Sequence, residues 1–472
     1  MICITKELLS RKMRSIIVAY FLLACTCHAI QNFSPSPGSE VKASEYEEGS
    51  NIDSSNGCMH VFREDNVGLS SHGAISKVRR ALSAQIHVVI FTVKARNMDV
   101  LKSILHQISD PKSKRYGDHM TKQEVNDLTY NADSHNNITE YLHASGAEIH
   151  YDESMGSTIT ARAPVSTWER MFDTVFNVYS VKLENQDVKN GDPKMKTFIR
   201  SEKYSVPSKL HKHIASVLNT VQLPPVIARS HLLQRKSSRN EIGLSSRFSQ
   251  GGSNTLMNPK RINEVYNIDD NTGHPKATQA IFGTSDLYFS PEDITRFQVH
   301  FDLPLQSVNQ STGNGSVSAA WCRDNSIYPC VDGNLQIQYM MAICSSPTTV
   351  YYSDYLTHSS WLQSIYNSPN TPLVATMTES YPEEYVSLYE VEDFENWAVK
   401  LGAIGVTVIV ASGDDGAASP SSAVGRTNPN STQCRYTSIF PASCPYVLSV
   451  GATQVNTSIL NPLEQKRHFD IT

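Results

Sequence analysis

The run VTVIVA, Val406 to Ala411, constrains the fold more than any other stretch of this chain. Six apolar or β-branched residues without alternation predict a strand covered on both faces, and such strands belong to parallel sheets flanked by helices. The surroundings agree. After Asn258-Pro259, short apolar segments alternate with helical patterns: Ala280 to Phe282, Val350 to Tyr352 and Leu373 to Met377 read as strands. Ser290-Pro291-Glu292-Asp293 supplies an N-cap, a first-turn proline and acids that suit a helix dipole. Glu383 to Leu401 predicts an amphipathic helix with Leu388, Val391, Ala398 and Leu401 turned inward and Gly402 ending it. Ligands on such sheets gather at strand carboxyl ends. The turn SGDDG, Ser412 to Gly416, follows VTVIVA at such an end.

The rest of the chain divides by composition. A basic stretch (Lys6, Arg11, Lys12, Arg14), the apolar run Ile16 to Cys25 and Cys27-His28-Ala29 read as a cleavable signal over 1–29. Its apolar run is short for a membrane span, so no membrane association is expected once the signal is removed. Residues 30–80, rich in Ser, Gly and acids, read as a disordered leader. From 81 to 226 strand and helix signals mix, with IHVVIFTV (Ile86 to Val93) a strand and Met98 to Ile108 a helix, which predicts an α+β domain. A basic, Ser- and Gly-rich linker over 227–255 is the expected processing site, and the α/β unit occupies 256–472. A net charge of -5 argues against nucleic acid as a partner.

Once Cys3, Cys25 and Cys27 leave with the signal, Cys58, Cys322, Cys330, Cys344, Cys434 and Cys444 remain to pair in an oxidising compartment. Cys322 with Cys330 and Cys434 with Cys444 are close enough to close small loops, among about fifteen connectivities. Sequons at Asn32, Asn137, Asn309, Asn314, Asn430 and Asn456 agree with export to the outside or to a lysosome or vacuole. The histidines show no metal-ligand spacing, so no metal is assigned.

The stretch VDGNLQIQYMMAI, Val331 to Ile343, reads as a helix carrying one acid, Asp332, and an amide one turn later, Gln336. Residues four apart share a face. Two carboxylates there would suit general acid and base work, and only one is present.

Set beside SGDDG, the later FPASCPYVLSVGAT (Phe440 to Thr453) gives the C-terminal half a resemblance to the sedolisin family of serine-carboxyl peptidases, which includes tripeptidyl peptidases. SDPKSKRYGDHMTKQEV (Ser109 to Val125) resembles the family's activation prodomain, and MNPKRINEVYNI (Met257 to Ile268) its mature start. The resemblance implies a subtilisin-like parallel-sheet domain after an α+β prodomain, with peptide or protein substrates and the prodomain as a partner in cis. It implies that Asp414 is the oxyanion-stabilising acid, protonated so that it can donate to developing charge. Asp332 would replace the family's general-base Glu, and Gln336 the Asp of the dyad. Both depart from the pattern: Asp332 is one methylene shorter, and Gln336 cannot titrate.

The family's Ser nucleophile and calcium site would fall beyond Thr472, so neither a nucleophile nor a cofactor is assigned and the catalytic domain is expected to be C-terminally truncated. Gly283-Thr284-Ser285 spells the nucleophile triplet but follows the first strand of that half, so it reads as a strand-to-helix loop. Asp414 and Asp415 also suit a plain turn, and Asp332 a helix dipole. The expected outcome is a secreted or lysosomal serine-type proenzyme, inactive as written. The alternatives are a non-catalytic peptide-binding or inhibitory module and an incomplete gene product.

Overall fold

The structure is a computed structural model that describes residues 60–65, 75–152, 156–182, 195–222, 257–268, 278–283, 287–313, 315–325, 327–344, 348–352, 357–383, 386–413, 418–420, 434–436, 438–455 and 469–471. The signal segment, the linker, Thr284 to Asp286, and Asp414 with Asp415 lie outside them.

The first part of the chain is built on a four-stranded antiparallel sheet, ordered Glu148–Asp152, Thr158–Pro164, Ile86–Val93, Ile214–Leu218. IHVVIFTV is central there, and Val89 and Phe91 are fully buried beside Trp168 and Phe172. Helix α1 (Met98–Ser109) buries Leu101, Leu105 and Ile108 at helical spacing. Helix α2 (Lys122–Thr129) starts on a capping box, with Thr121 and Glu124 each satisfying the other's backbone N–H.

A leader extending to residue 80 is corrected by two strands inside it. His60–Asp65 pairs antiparallel with Lys203–Pro207, and Ile75–Arg80 with Phe176–Lys182. Their polarity hid them. Arg63 and Glu64 are buried because long-range partners satisfy them: Arg63 donates to the carbonyl of Ile214 at 2.7 Å, and Glu64 accepts from Tyr204 Oη at 2.8 Å.

The second part is a six-stranded sheet in which every pairing is parallel. Its strands are β1 (Thr278–Phe282), β2 (Gln310–Thr312), β3 (Thr348–Tyr352), β4 (Val374–Met377), β5 (Thr407–Ala411) and β6 (Leu448–Val450), in the spatial order β2-β3-β1-β4-β5-β6. The VTVIVA strand lies between β4 and β6, inside the sheet as its composition requires. Three further helices matter here: α3 (Ile327–Ile343), α4 (His358–Asn367) and α5 (Leu388–Ala403).

Alternation along the strands sorts the helices onto two faces. Ala280, Phe282, Ala375, Met377, Val408 and Val410 pack against Trp361 of α4 and Phe394 of α5. Ile281 points the other way, into Ile337, Met340 and Met341 of α3. The result is a three-layer α/β/α unit.

α1 and α2 continue the first of these cores, so Leu101, Leu105, Ile108 and Val125 share one apolar cluster with α4 and α5. Polar contacts flank it. Met120 N donates to the carbonyl of Ala403 at 2.9 Å, satisfying the end of α5, and Lys400 Nζ donates to Ser157 Oγ at 3.1 Å. Tyr366 Oη donates to Asn126 Oδ1 at 2.8 Å.

Three further expectations change. α5 begins at Leu388, not Glu383, because Ser387 caps it by accepting from Glu390 N, and Leu388 is 78% exposed. Gly402 does not end that helix; a Cβ there would meet Leu105 Cδ1 at 3.0 Å, so the glycine permits close approach by α1. Cys322 and Cys330 form a disulfide. Cys444 does not pair with Cys434: it is a free thiol packed into the α4–α5 core, where burial pushes it up to about 12.

Candidate functional site

The site is assembled where β4 ends. Strand register sets Met377 beside Val410, so the residues after β4 and those after β5 emerge side by side. Ser412 N donates to the carbonyl of Val450 at 3.0 Å, and a Cβ on Gly413 would lie 3.7 Å from Ser380 Oγ. The turn that leads into Asp414 therefore starts next to Ser380. Asp414 itself is outside the described residues.

From the other face of the sheet, α3 brings Asp332 and Gln336. Its seat is fixed by Gly333, where an added Cβ would stand 2.2 Å from the carbonyl oxygen of Tyr288. Asn334 Oδ1 accepts from Ser290 N at 2.8 Å, and Tyr339 Oη donates to the carbonyl of Met257 at 2.8 Å. Asp332 and Gln336 are both half-buried, while Leu335 between them is exposed. The expected common face is thus present.

Gln336 Nε2 donates to Thr378 Oγ1 at 2.7 Å, and Thr378 Oγ1 donates to Glu379 Oε2 at 3.1 Å. Glu379 is a buried carboxyl that sequence reasoning missed. Burial pushes it up to about 7, hydrogen bonds from Thr378 and Gln336 oppose that, and the like charge of Asp332 adds to it. The one available signal was its position, an acid directly beyond the carboxyl end of a buried strand.

Behind Glu379 stands His358 of α4, whose Nε2–H donates to the Glu379 carbonyl at 3.1 Å. Packed against Phe282 and Phe440, that imidazole is pushed down to about 4 by burial and is neutral at ordinary pH.

The structure therefore joins Gln336 to Glu379 through Thr378 just beyond the carboxyl end of β4, with Asp332 one helical turn from Gln336 on α3. It holds the components of acid and base chemistry next to the mouth of the 412–413 turn. Ser285 lies outside the described residues.

Comparisons with known proteins point the same way. The pro-kumamolisin activation domain matches residues 73–223, which begins inside the segment expected to be leader. Physarolisin of Physarum polycephalum is 27% identical over 415 residues, covering 82% of this chain and 61% of its own length. A probable tripeptidyl-peptidase SED3 of Trichophyton verrucosum is 28% identical over 391 residues, 76% of this chain and 62% of its own. Tripeptidyl-peptidase 1 of Rattus norvegicus is 24% identical over 415 residues, 85% and 68%. This chain is similar over most of its length to sedolisin-type peptidases, tripeptidyl peptidases among them, and carries an N-terminal match to the pro-kumamolisin activation domain. It spans about three fifths of the length of the first two of these curated relatives.

Proposed function

We propose that the chain is the proenzyme form of a sedolisin-type serine peptidase, with a subtilisin-like catalytic fold, that acts on peptides at acid pH. The signal-like N-terminus and the sequons support delivery through the secretory pathway, to the outside or to a lysosome or vacuole. No helix among the described residues is long and apolar enough to cross a membrane. The activation domain is the partner in cis, docked on α4 and α5.

The observation that supports this reading is the Gln336 bond to Thr378 just beyond the carboxyl end of β4, with Asp332 one turn away on the same helix. In the proposed chemistry Asp332 accepts the nucleophile's proton as the nucleophile attacks the peptide carbonyl, and a protonated Asp414 donates to the oxyanion. Gln336 can hold a neighbour by hydrogen bonding but cannot take a proton.

That last point favours a second reading, a cleft that binds peptides without cleaving them, because the amide at 336 is already committed to Thr378. The test is peptide turnover and peptide binding by the purified protein between about pH 4 and 7. Turnover supports the peptidase; binding without turnover, rescued by Asp332→Glu with Gln336→Asp, supports the degenerate cleft. Neither binding nor turnover would overturn both.

A further inference from the structure

Of the sequons, those at Asn137 and Asn309 fall within the described residues, and the fold treats them differently. Asn137 lies inside the helix Ala132–Ala144, where its Nδ2 donates to the Asp133 carbonyl at 2.8 Å and to Asp133 Oδ1 at 3.3 Å. The hydroxyl of that sequon, Thr139 Oγ1, is buried. Residues two apart do not face each other on a helix, so its amide and its hydroxyl are held on different sides.

Asn309-Gln310-Ser311 is open. All three residues are exposed, whereas Val308 just before them packs against the core of Ile281, Ile337 and Met340. Asn309 directly precedes β2, which pairs with β3 and forms one edge of the six-stranded sheet among the described residues. Register carries Gln310 across Val350 and Ala280 to Ala375, so Asn309 stands at the amino end of the sheet. The candidate cleft lies beyond the carboxyl end of β4, and α4, α5 and the activation domain cover β1, β4 and β5. A bulky group on Asn309 therefore meets neither.

We propose that Asn309, rather than Asn137, is an N-glycosylation site, and that its glycan shields the open β2 edge from pairing with a second chain. In the transfer, Asn309 Nδ2 bonds to the anomeric carbon of an oligosaccharide carried on a lipid diphosphate. The bond from that carbon to the diphosphate oxygen breaks, the lipid diphosphate leaves, and the amide gives up one proton. The product is a large hydrated group at the surface. An edge strand presents unpaired N–H and C=O groups to any approaching strand, and a glycan at its first residue keeps such a strand away. The proposal rests on delivery through the secretory pathway.

The experiment expresses the full chain in a eukaryotic secretory host, once with its own N-terminus and once behind a foreign signal peptide. Enzymatic release of glycans in heavy-oxygen water converts each glycosylated Asn to labelled Asp, which peptide mass spectrometry locates. The proposal expects label at Asn309 and none at Asn137, with one glycan-sized mobility step lost in both Asn309→Gln and Ser311→Ala. Label at Asn309 only behind the foreign signal would sink delivery by the chain's own N-terminus and support the site. An unlabelled Asn309 behind the foreign signal, or label at Asn137 instead, would overturn it. On size-exclusion chromatography both variants should elute as larger species than the glycosylated parent. Elution as the parent's monomer would overturn the shielding.

Discussion

At the scale of single residues, glycine placement decides how the site is held. Gly333 lies in α3, where alanine would ordinarily gain up to about 1 kcal/mol of helix propensity. Against that, its Cβ would be 2.2 Å from the Tyr288 carbonyl oxygen, a backbone atom that cannot swing aside. Overpacking of this kind costs about 1–3 kcal/mol, so the clash wins. Gly333→Ala should lower the thermal midpoint and weaken whatever peptide binding the cleft has. A midpoint equal to or above that of the parent would show that α3 can shift without cost. Gly402 was legible as a glycine near a helix end, but its reason was not, since Leu105 lies far away in sequence.

At the scale of elements, the α1 contact with α4 and α5 has the character of a domain core. Leu101 is fully buried in it, and such leucines truncated to alanine cost about 2–5 kcal/mol. Leu101→Ala should therefore loosen the activation domain, seen as faster cleavage by an added protease between the two parts and a lower thermal midpoint. An unchanged digestion pattern would mean that the polar contacts at Ala403, Ser157 and Asn126 suffice by themselves. Helix α1 was readable in full because its apolar spacing is regular. α5 was read too long at its start, since Ser387 and not the preceding acids caps it and Leu388 faces water.

At the scale of the whole molecule, the docked activation domain encloses titratable groups. Glu64 is pushed up by burial, Glu390 to about 8 and Asp393 to about 7, from ordinary values of 4.5 and 3.8 for the latter two. Burial also pushes Lys400 down to about 8 and Arg200 to about 10. Carboxyls raised on folding hold protons that the unfolded chain has lost, so their contribution is full below about pH 4 and declines as pH rises toward 8. Lys400 acts between its ordinary 10.5 and about 8, costing stability as pH falls through that range, and is level below it. Between about pH 5 and 6.5 buried His87 and His358, pushed down to about 4, work against the carboxyls, but Glu379, Glu390 and Asp393 outnumber them and act alone above that range, so the net slope from pH 5 to 8 is theirs. The intact chain should melt higher at pH 5 than at pH 8, and Glu390→Gln should flatten the difference by stabilising mainly the alkaline end. A higher melting point at pH 8 would refute this. By itself the sequence determined what short-range spacing can determine: the buried parallel strands, the caps, the helix bearing Asp332 and Gln336, and the family motifs. Tertiary structure decided which polar groups meet, because Glu379 joins Gln336 through Thr378 across 42 residues of sequence. Sheet register and helix packing create that approach, and no local pattern records it.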